Sequence, residues 1–182
     1  MRVIAGEFRS RVLKTLPGMD VRPTPDRLRE ALFSILAPNL QGAAFVDAYA
    51  GSGAIGIEAL SRGAGRTVFI EKNRAAFTVI RENLRSLGIE DRSEVVLGQS
   101  VRLVGKYVAD IVFLDPPYPL ESEYASSLNV LGKNPSGLVI AQHASRFSLA
   151  ESYGVLTRYR VLKQGENSLS FYRAANPAAT EE

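Results

Sequence analysis

Residues 45–58 read FVDAYAGSGAIGIE. An apolar stretch ends on a carboxylate, Asp47, small residues come next, and a second apolar run opens after Gly53. Gly51, Gly53 and Gly56 spell G-x-G-x-x-G, and Glu71 stands 20 residues past Gly51, at the end of the next apolar run. A glycine loop between a strand and a helix, with an acid closing the next strand, is the spacing of an adenosine-cofactor site. Taken alone it fits a dinucleotide, so an NAD-dependent oxidoreductase is one reading. Asp47 argues for another cofactor, because a carboxylate four residues before Gly51 is poorly placed beside a pyrophosphate and suits a cationic group such as an amino-acid ammonium. The loop has no P-loop lysine, which argues against nucleoside triphosphate chemistry. Glu71 can accept from both hydroxyls of a ribose in either reading.

Working outward, strand and helix patterns alternate. AAFVDA, RTVFIE, SEVVLG, ADIVFLD and GLVIAQ read as strands, separated by helical runs such as NRAAFTVIRENLRSLG, whose Phe77, Ile80, Leu84 and Leu87 share one face. GVLTRYRVL and NSLSFYR flank KQGE as an antiparallel pair. The pattern predicts an α/β fold with a mostly parallel seven-stranded sheet and helices on both faces, its ligands at the carboxyl ends of the strands. RVIAG and RVLKT around EFRS predict a short N-terminal β-hairpin. Thr24 is the expected cap of a first helix with Pro25 at its first position, Leu28, Ala31, Leu32, Ile35 and Leu36 on its apolar face, and Pro38 at its end. Arg22, Arg27 and Arg29 fall off that stripe and are expected to reach solvent or a ligand. One domain covers residues 1–182, with residues 1–22 as an N-terminal extension and the tail from residue 174 expected to be disordered.

Composition narrows the chemistry. The chain of 182 residues is 46% hydrophobic, an ordinary globular balance, and no apolar run approaches the roughly 20 residues of a membrane span. The start has no apolar core of a signal peptide, and there is no cysteine, which together fit a cytoplasmic protein. A single histidine, His143, leaves no material for a multi-histidine metal centre, and no metal is expected. Residues 1–30 carry seven basic and four acidic side chains, which accounts for the whole net charge of +3. A basic segment on a neutral body points to a polyanionic partner, RNA or DNA first.

Residues 113–119, FLDPPYP, end a buried strand on Asp115 and stiffen the chain immediately after it. Proline cannot donate to a sheet, so the strand stops there. An exocyclic amine on a nucleobase is a poor nucleophile, because its lone pair is delocalised into the ring. Two acceptors aimed at its N–H bonds favour pyramidal geometry. Asp115 offers a carboxylate oxygen and Pro116 a carbonyl. Pro116 and Pro117 hold them rigid, and Tyr118 offers a flat face for a base.

DAYAGSGAIGIE, then FIE, then DPPY resembles a Rossmann-like class I S-adenosylmethionine-dependent methyltransferase. MRVIAGEFRSRVLKTLPG followed by VRPTPDRLREALFSIL is similar to the bacterial RsmD family, which methylates the N2 amine of a guanine in 16S ribosomal RNA, and the likeness runs from Arg2 to about Arg173. The resemblance implies S-adenosyl-L-methionine as cofactor, with S-adenosyl-L-homocysteine as product. It implies cofactor contacts at Asp47, Ala50, Gly51, Ser52, Gly53, Glu71, Lys72, Gln99 and Ser100, and catalytic roles for Asp115, Pro116, Pro117 and Tyr118. RNA contacts would come from Arg2, Arg9, Arg11, Lys14, Arg22, Thr24, Arg27 and Arg29. The partner implied is 16S rRNA within a partly assembled small subunit, and the chain is expected to act as a monomer without a membrane. Three positions depart from the family pattern: Gln99 in LGQS, where an acid is usual; the turn QGEN; and Gln142-His143, where Glu-His is common. His143 reads as a strand-end structural residue. Rival readings are a DNA or RNA adenine N6-methyltransferase using the same acceptors, and a non-catalytic RNA-binding assembly factor.

Overall fold

The computed structural model describes residues 1–17, 25–117, 121–133 and 137–174. Five helices and eight strands are described: α1 Asp26–Leu40, β1 Ala44–Asp47, α2 Ala54–Ser61, β2 Arg66–Glu71, α3 Arg74–Leu87, β3 Ser93–Leu97, α4 Ser100–Leu103, β4 Ile111–Leu114, α5 Glu121–Leu131, β5 Leu138–Ala144, β6 Ser152–Tyr153, β7 Leu156–Gln164 and β8 Asn167–Ala174. The strands form one sheet in the order β3-β2-β1-β4-β5-β8-β7-β6. β1 to β5 pair in parallel, and β8 and β7 then run antiparallel. The sheet thus gains an eighth strand over the seven expected, because Ser152–Tyr153 adds a two-residue pairing to β7 that is too short to leave a period.

Alternation along the strands divides the core. Phe45, Phe113, Ile140 and Phe171 face α1 and one side of α2. Val46, Val68, Val112, Leu114 and Val139 face α5. The helix α2 is buried on all sides, as its run AIGIEALS requires. Its outer side meets Val3, Phe8 and Leu13 of the N-terminal segment, together with Ile80 and Leu84 of α3. α3 is closed at one end by Asn73, whose side chain accepts from the Ala75 and Ala76 N–H groups, and at the other by Gly88 in the left-handed region. Among the described residues no helix is long and apolar enough to cross a membrane.

Three local expectations change, while the N-terminal hairpin holds in short form: Arg2 bridges Val12, Val3 N–H donates to the Arg11 carbonyl at 3.0 Å and Leu13 N–H to the Met1 carbonyl at 2.9 Å. The backbone that would extend it is spent elsewhere. Ile4 and Ala5 N–H donate to the Glu58 carboxylate at 2.8 and 3.0 Å, Glu7 N–H to the Ser61 carbonyl at 2.7 Å, and Phe8 N–H to Ser61 Oγ at 3.0 Å. Pro25 stands at the cap position of α1 rather than inside its first turn, and the helix runs through Pro38 to Leu40, held by burial of Leu36 and Leu40. Arg29 is only 1% exposed, facing the core side rather than solvent. The expected cap Thr24, Arg22, Tyr118 and residues 175–182 of the tail lie outside the described residues.

Candidate active site

The sheet's order reverses direction between β1 and β4, and a cavity of about 420 Å³ opens at their carboxyl ends. Asp47 closes β1 opposite Phe113, and Asp115 lies just past the end of β4, two residues later. Glu71 closes β2 on the other side of β1. Three carboxyl groups from three adjacent strands therefore line one cavity, beside Gly51, Ser52, Lys72 and Ser100.

The glycine loop is built around two of these acids. Gly51 and Gly53 have φ of +54° and +82°, so the chain doubles back with Gly53 N–H donating to the Ala50 carbonyl at 2.7 Å. Gly51 N–H donates to Glu71 Oε2 at 2.8 Å, and Asn73 N–H to Oε1 at 2.7 Å. Gly56 N–H, in the first turn of α2, donates to Asp47 Oδ2 at 2.9 Å. The N–H groups that a pyrophosphate would need are thus aimed at carboxylates, which disfavours the dinucleotide reading. Gly56 serves packing: a Cβ there would lie 2.3 Å from Phe69 Cε1.

Burial raises the Asp47 carboxyl to about 7, with the Gly56 hydrogen bond opposing and the charge of Glu71 adding to the shift. Burial, then the charge of Asp47, raises Asp115 to about 7. A cavity whose carboxyls are strained by burial and mutual repulsion favours a ligand that brings positive charge. Among the described residues that line the cavity the one basic side chain is Lys72, exposed at the rim with its Nζ 3.7 Å from Glu123 Oε1. Tyr49 also lines the cavity, and its hydroxyl is 2.8 Å from Ser127 Oγ. Burial pushes that phenol above its ordinary range.

Most of the expected cofactor residues come together. Asp47, Ala50, Gly51, Ser52, Glu71, Lys72 and Ser100 line the cavity. Gly53 is buried beneath the loop as the cap position of α2. Gln99 is exposed at the cap of α4 and does not line the cavity, although Ser100 beside it does. The Ser100 hydroxyl is engaged with the Ala48 carbonyl, so it ties α4 to the end of β1. Asp115 and Pro117 line the cavity and Pro116 is buried beside them. His143 bridges strands, with Nε2 2.9 Å from Ser170 Oγ.

The basic residues separate into two groups. Arg2, Arg9 and Arg27 are exposed. Arg11 donates to the Ser86 carbonyl at 3.1 Å, and Lys14 pairs with Glu82 at 2.8 Å, both on the outer surface. Arg29 corrects the expectation of an RNA contact. Its Nη2 donates to the Arg2 carbonyl at 3.0 Å and to Asp26 at 2.9 Å, and it is buried, so it fastens the N-terminal segment to α1. Sequence reasoning missed Tyr49, Asn73, Met1 and Thr15 as cavity residues. Tyr49 was within reach, since it sits between Asp47 and the first glycine of the loop. Met1 and Thr15 arrive through tertiary docking that leaves no local pattern.

The model of the family described as conserved hypothetical protein 95 matches residues 1–173. The Bacillus subtilis (strain 168) protein YlbH is 31% identical over 182 residues, spanning 95% of this chain and 98% of its own. Ribosomal RNA small subunit methyltransferase D of Haemophilus influenzae is 37% identical over 134 residues, spanning 70% of this chain and 69% of its own. The solved structure of yhhF from Escherichia coli superposes with a TM-score of 0.82 at 31% identity, covering 96% of this chain and 97% of that one.

Proposed function

The chain belongs to the conserved hypothetical protein 95 family, the RsmD methyltransferases, and from that premise we propose that it methylates an exocyclic base amine of small-subunit ribosomal RNA. The methyl donor is S-adenosyl-L-methionine, and the target is the N2 amine of a guanine. The observation that carries this reading is the meeting of Asp115 and the Gly51 loop in one cavity whose carboxyl groups favour a cationic ligand.

The residues present fit such a cofactor. Asp47 keeps the loop closed and contributes negative charge near an ammonium. Glu71 still has lone pairs free on both oxygens after accepting from Gly51 and Asn73, so ribose hydroxyls can donate to it. When bound, the cofactor supplies a methyl group already activated on a sulfonium. The protein's own work is orientation. The Asp115 carboxylate and the Pro116 carbonyl accept the two N–H bonds of the amine, and the prolines hold both acceptors without reorganisation. Asp115, already accepting from the amine, would take the proton that the nitrogen gives up when its N–C bond replaces the S–C bond of the sulfonium, with S-adenosyl-L-homocysteine as the leaving group. The base leaves its stack to reach this point and rests on Tyr118. Arg2, Arg9 and Arg27 meet phosphates and supply affinity without base choice. The substrate is a partly assembled small subunit, met by a monomer in the cytoplasm.

Digestion of ribosomal RNA to nucleosides, from cells with and without the gene, tests the reading by mass spectrometry. Loss of N2-methylguanosine at one small-subunit position is the expected result. Loss of N6-methyladenosine instead would overturn the choice of base, and an unchanged nucleoside profile would overturn the reaction.

A further inference from the structure

Asn83 lies on α3, is 1% exposed, and has no part in the chemistry above. Its Oδ1 accepts from Lys14 N–H at 2.8 Å. Its Nδ2 donates to the Lys14 carbonyl at 3.0 Å and to the Ser52 carbonyl at 3.1 Å. The carboxamide offers Lys14 the donor and acceptor that a neighbouring strand would offer, and uses its remaining N–H on the glycine loop. Only this amide orientation works, since the reverse sets its oxygen against two carbonyls and its NH₂ against an N–H. Among the described residues no other hydrogen bond by a side chain joins residues 1–17 to the loop. Thr15, next to Lys14, and Ser52 both line the cavity, as does Met1, whose carbonyl accepts from Leu13 N–H at 2.9 Å.

We infer that Asn83 is a positioning residue that couples filling of the cofactor cavity to docking of Lys14 and Thr15 at its wall. A ligand that orders Ser52 fixes one side of the amide and so holds Lys14 and Thr15 at the wall. By reciprocity, whatever holds Lys14 and Thr15 at the wall tightens the cofactor site by the same factor. The segment carries Arg2 and Arg9, so RNA and cofactor favour each other through one carboxamide. This inference rests on the proposed cofactor. Glu58 and Ser61 provide the contrast, because they hold residues 4–8 of the same segment to α2 without touching the loop.

The test is amide hydrogen exchange of residues 1–17 with and without S-adenosyl-L-homocysteine, read beside its dissociation constant. In the unmodified protein the ligand slows exchange at Lys14 and Thr15. Asn83→Ala abolishes that response and weakens the ligand by about tenfold, the scale of one or two hydrogen bonds. Asn83→Asp keeps the acceptor for Lys14 N–H while losing the donors to the Lys14 and Ser52 carbonyls, so it should also lose the response even where the alanine variant folds poorly. Ser61→Ala should melt earlier yet keep both the response and the affinity. Retention of the response in both Asn83 variants, or its equal loss in Ser61→Ala, would overturn the inference. Failure of the unmodified protein to bind S-adenosyl-L-homocysteine would instead sink the proposed cofactor, and this inference with it. Binding without any change in exchange would sink the inference alone.

Discussion

Asp47 and Asp115 end neighbouring parallel strands on one cavity wall, and the charge of Asp47 helps burial raise the Asp115 carboxyl to about 7. Neither acid can ionise without opposing the other. The cavity therefore stores an electrostatic cost that a cationic ligand relieves.

That cost gives the pH dependence its sign. Both acids titrate near 7 in the folded protein against an ordinary 3.8. Between those values the folded state holds protons that the unfolded chain has released, so the stability of the ligand-free protein falls as pH rises through that window. Affinity for S-adenosyl-L-methionine should move the opposite way and rise through about pH 7, with proton release on binding. Calorimetry in buffers of different ionisation enthalpy measures both. Affinity that is flat from pH 6 to 8 would remove Asp47 and Asp115 from the cofactor's electrostatics.

Asp115→Asn is expected to lower turnover by at least about 100-fold, the scale of removing one preorganised polar contact from a transition state. S-adenosyl-L-homocysteine affinity should stay within a few-fold. Single-turnover rates beside ligand titration separate the two. Equal losses in both would mean that Asp115 builds the cofactor site rather than holding the amine.

Glu71→Ala removes the acceptor for Gly51 and Asn73 N–H as well as the proposed ribose contact. Cofactor affinity should fall by tenfold or more, and exchange at Gly51 should quicken. Glu71→Gln keeps one acceptor oxygen and should fall in between. Unchanged affinity in Glu71→Ala would remove the ribose assignment.

Arg9 and Arg29 should separate in their response to salt. Arg9 is exposed, so Arg9→Gln should weaken RNA binding and reduce the slope of log affinity against log salt by about 0.7–0.9. Arg29 is buried against the Arg2 carbonyl and Asp26. Arg29→Ala should lower the melting temperature with no such direct change in slope. A slope untouched by Arg9→Gln would make that side chain a bystander.

Gly56→Ala tests the fit of α2 on the sheet. The new methyl would lie 2.3 Å from the ring of Phe69, which is fully buried and has no room to retreat. Overpacking of this kind costs about 1–3 kcal/mol, read by urea denaturation.

The parallel sheet was legible because strand and helix periods alternate cleanly from Phe45 to Gln142, and the acids at strand ends marked the site. Asp47, Glu71 and Asp115 are each one local signal, a carboxylate closing an apolar run. Arg29 was misread because helical spacing alone cannot tell a solvent-facing arginine from one buried against a backbone carbonyl 27 residues away. Gln99 was placed by resemblance alone, and no local pattern says whether its side chain reaches the cavity that its neighbour Ser100 lines. Met1 and Thr15 could not be found, since the segment that carries them is held by Glu58 through Ile4, 54 positions apart, and by Asn83 through Lys14, 69 apart.

Those separations have a consequence for how the molecule comes together. Ile4 waits for Glu58, 54 residues on, and Lys14 waits for Asn83, 69 residues on. During synthesis the first segment emerges long before either partner exists, so it stays undocked until α2 and α3 have formed. Closing so long a loop is slow, and few local contacts help it. That part of the cavity wall is therefore assembled late, from a segment made before its partners.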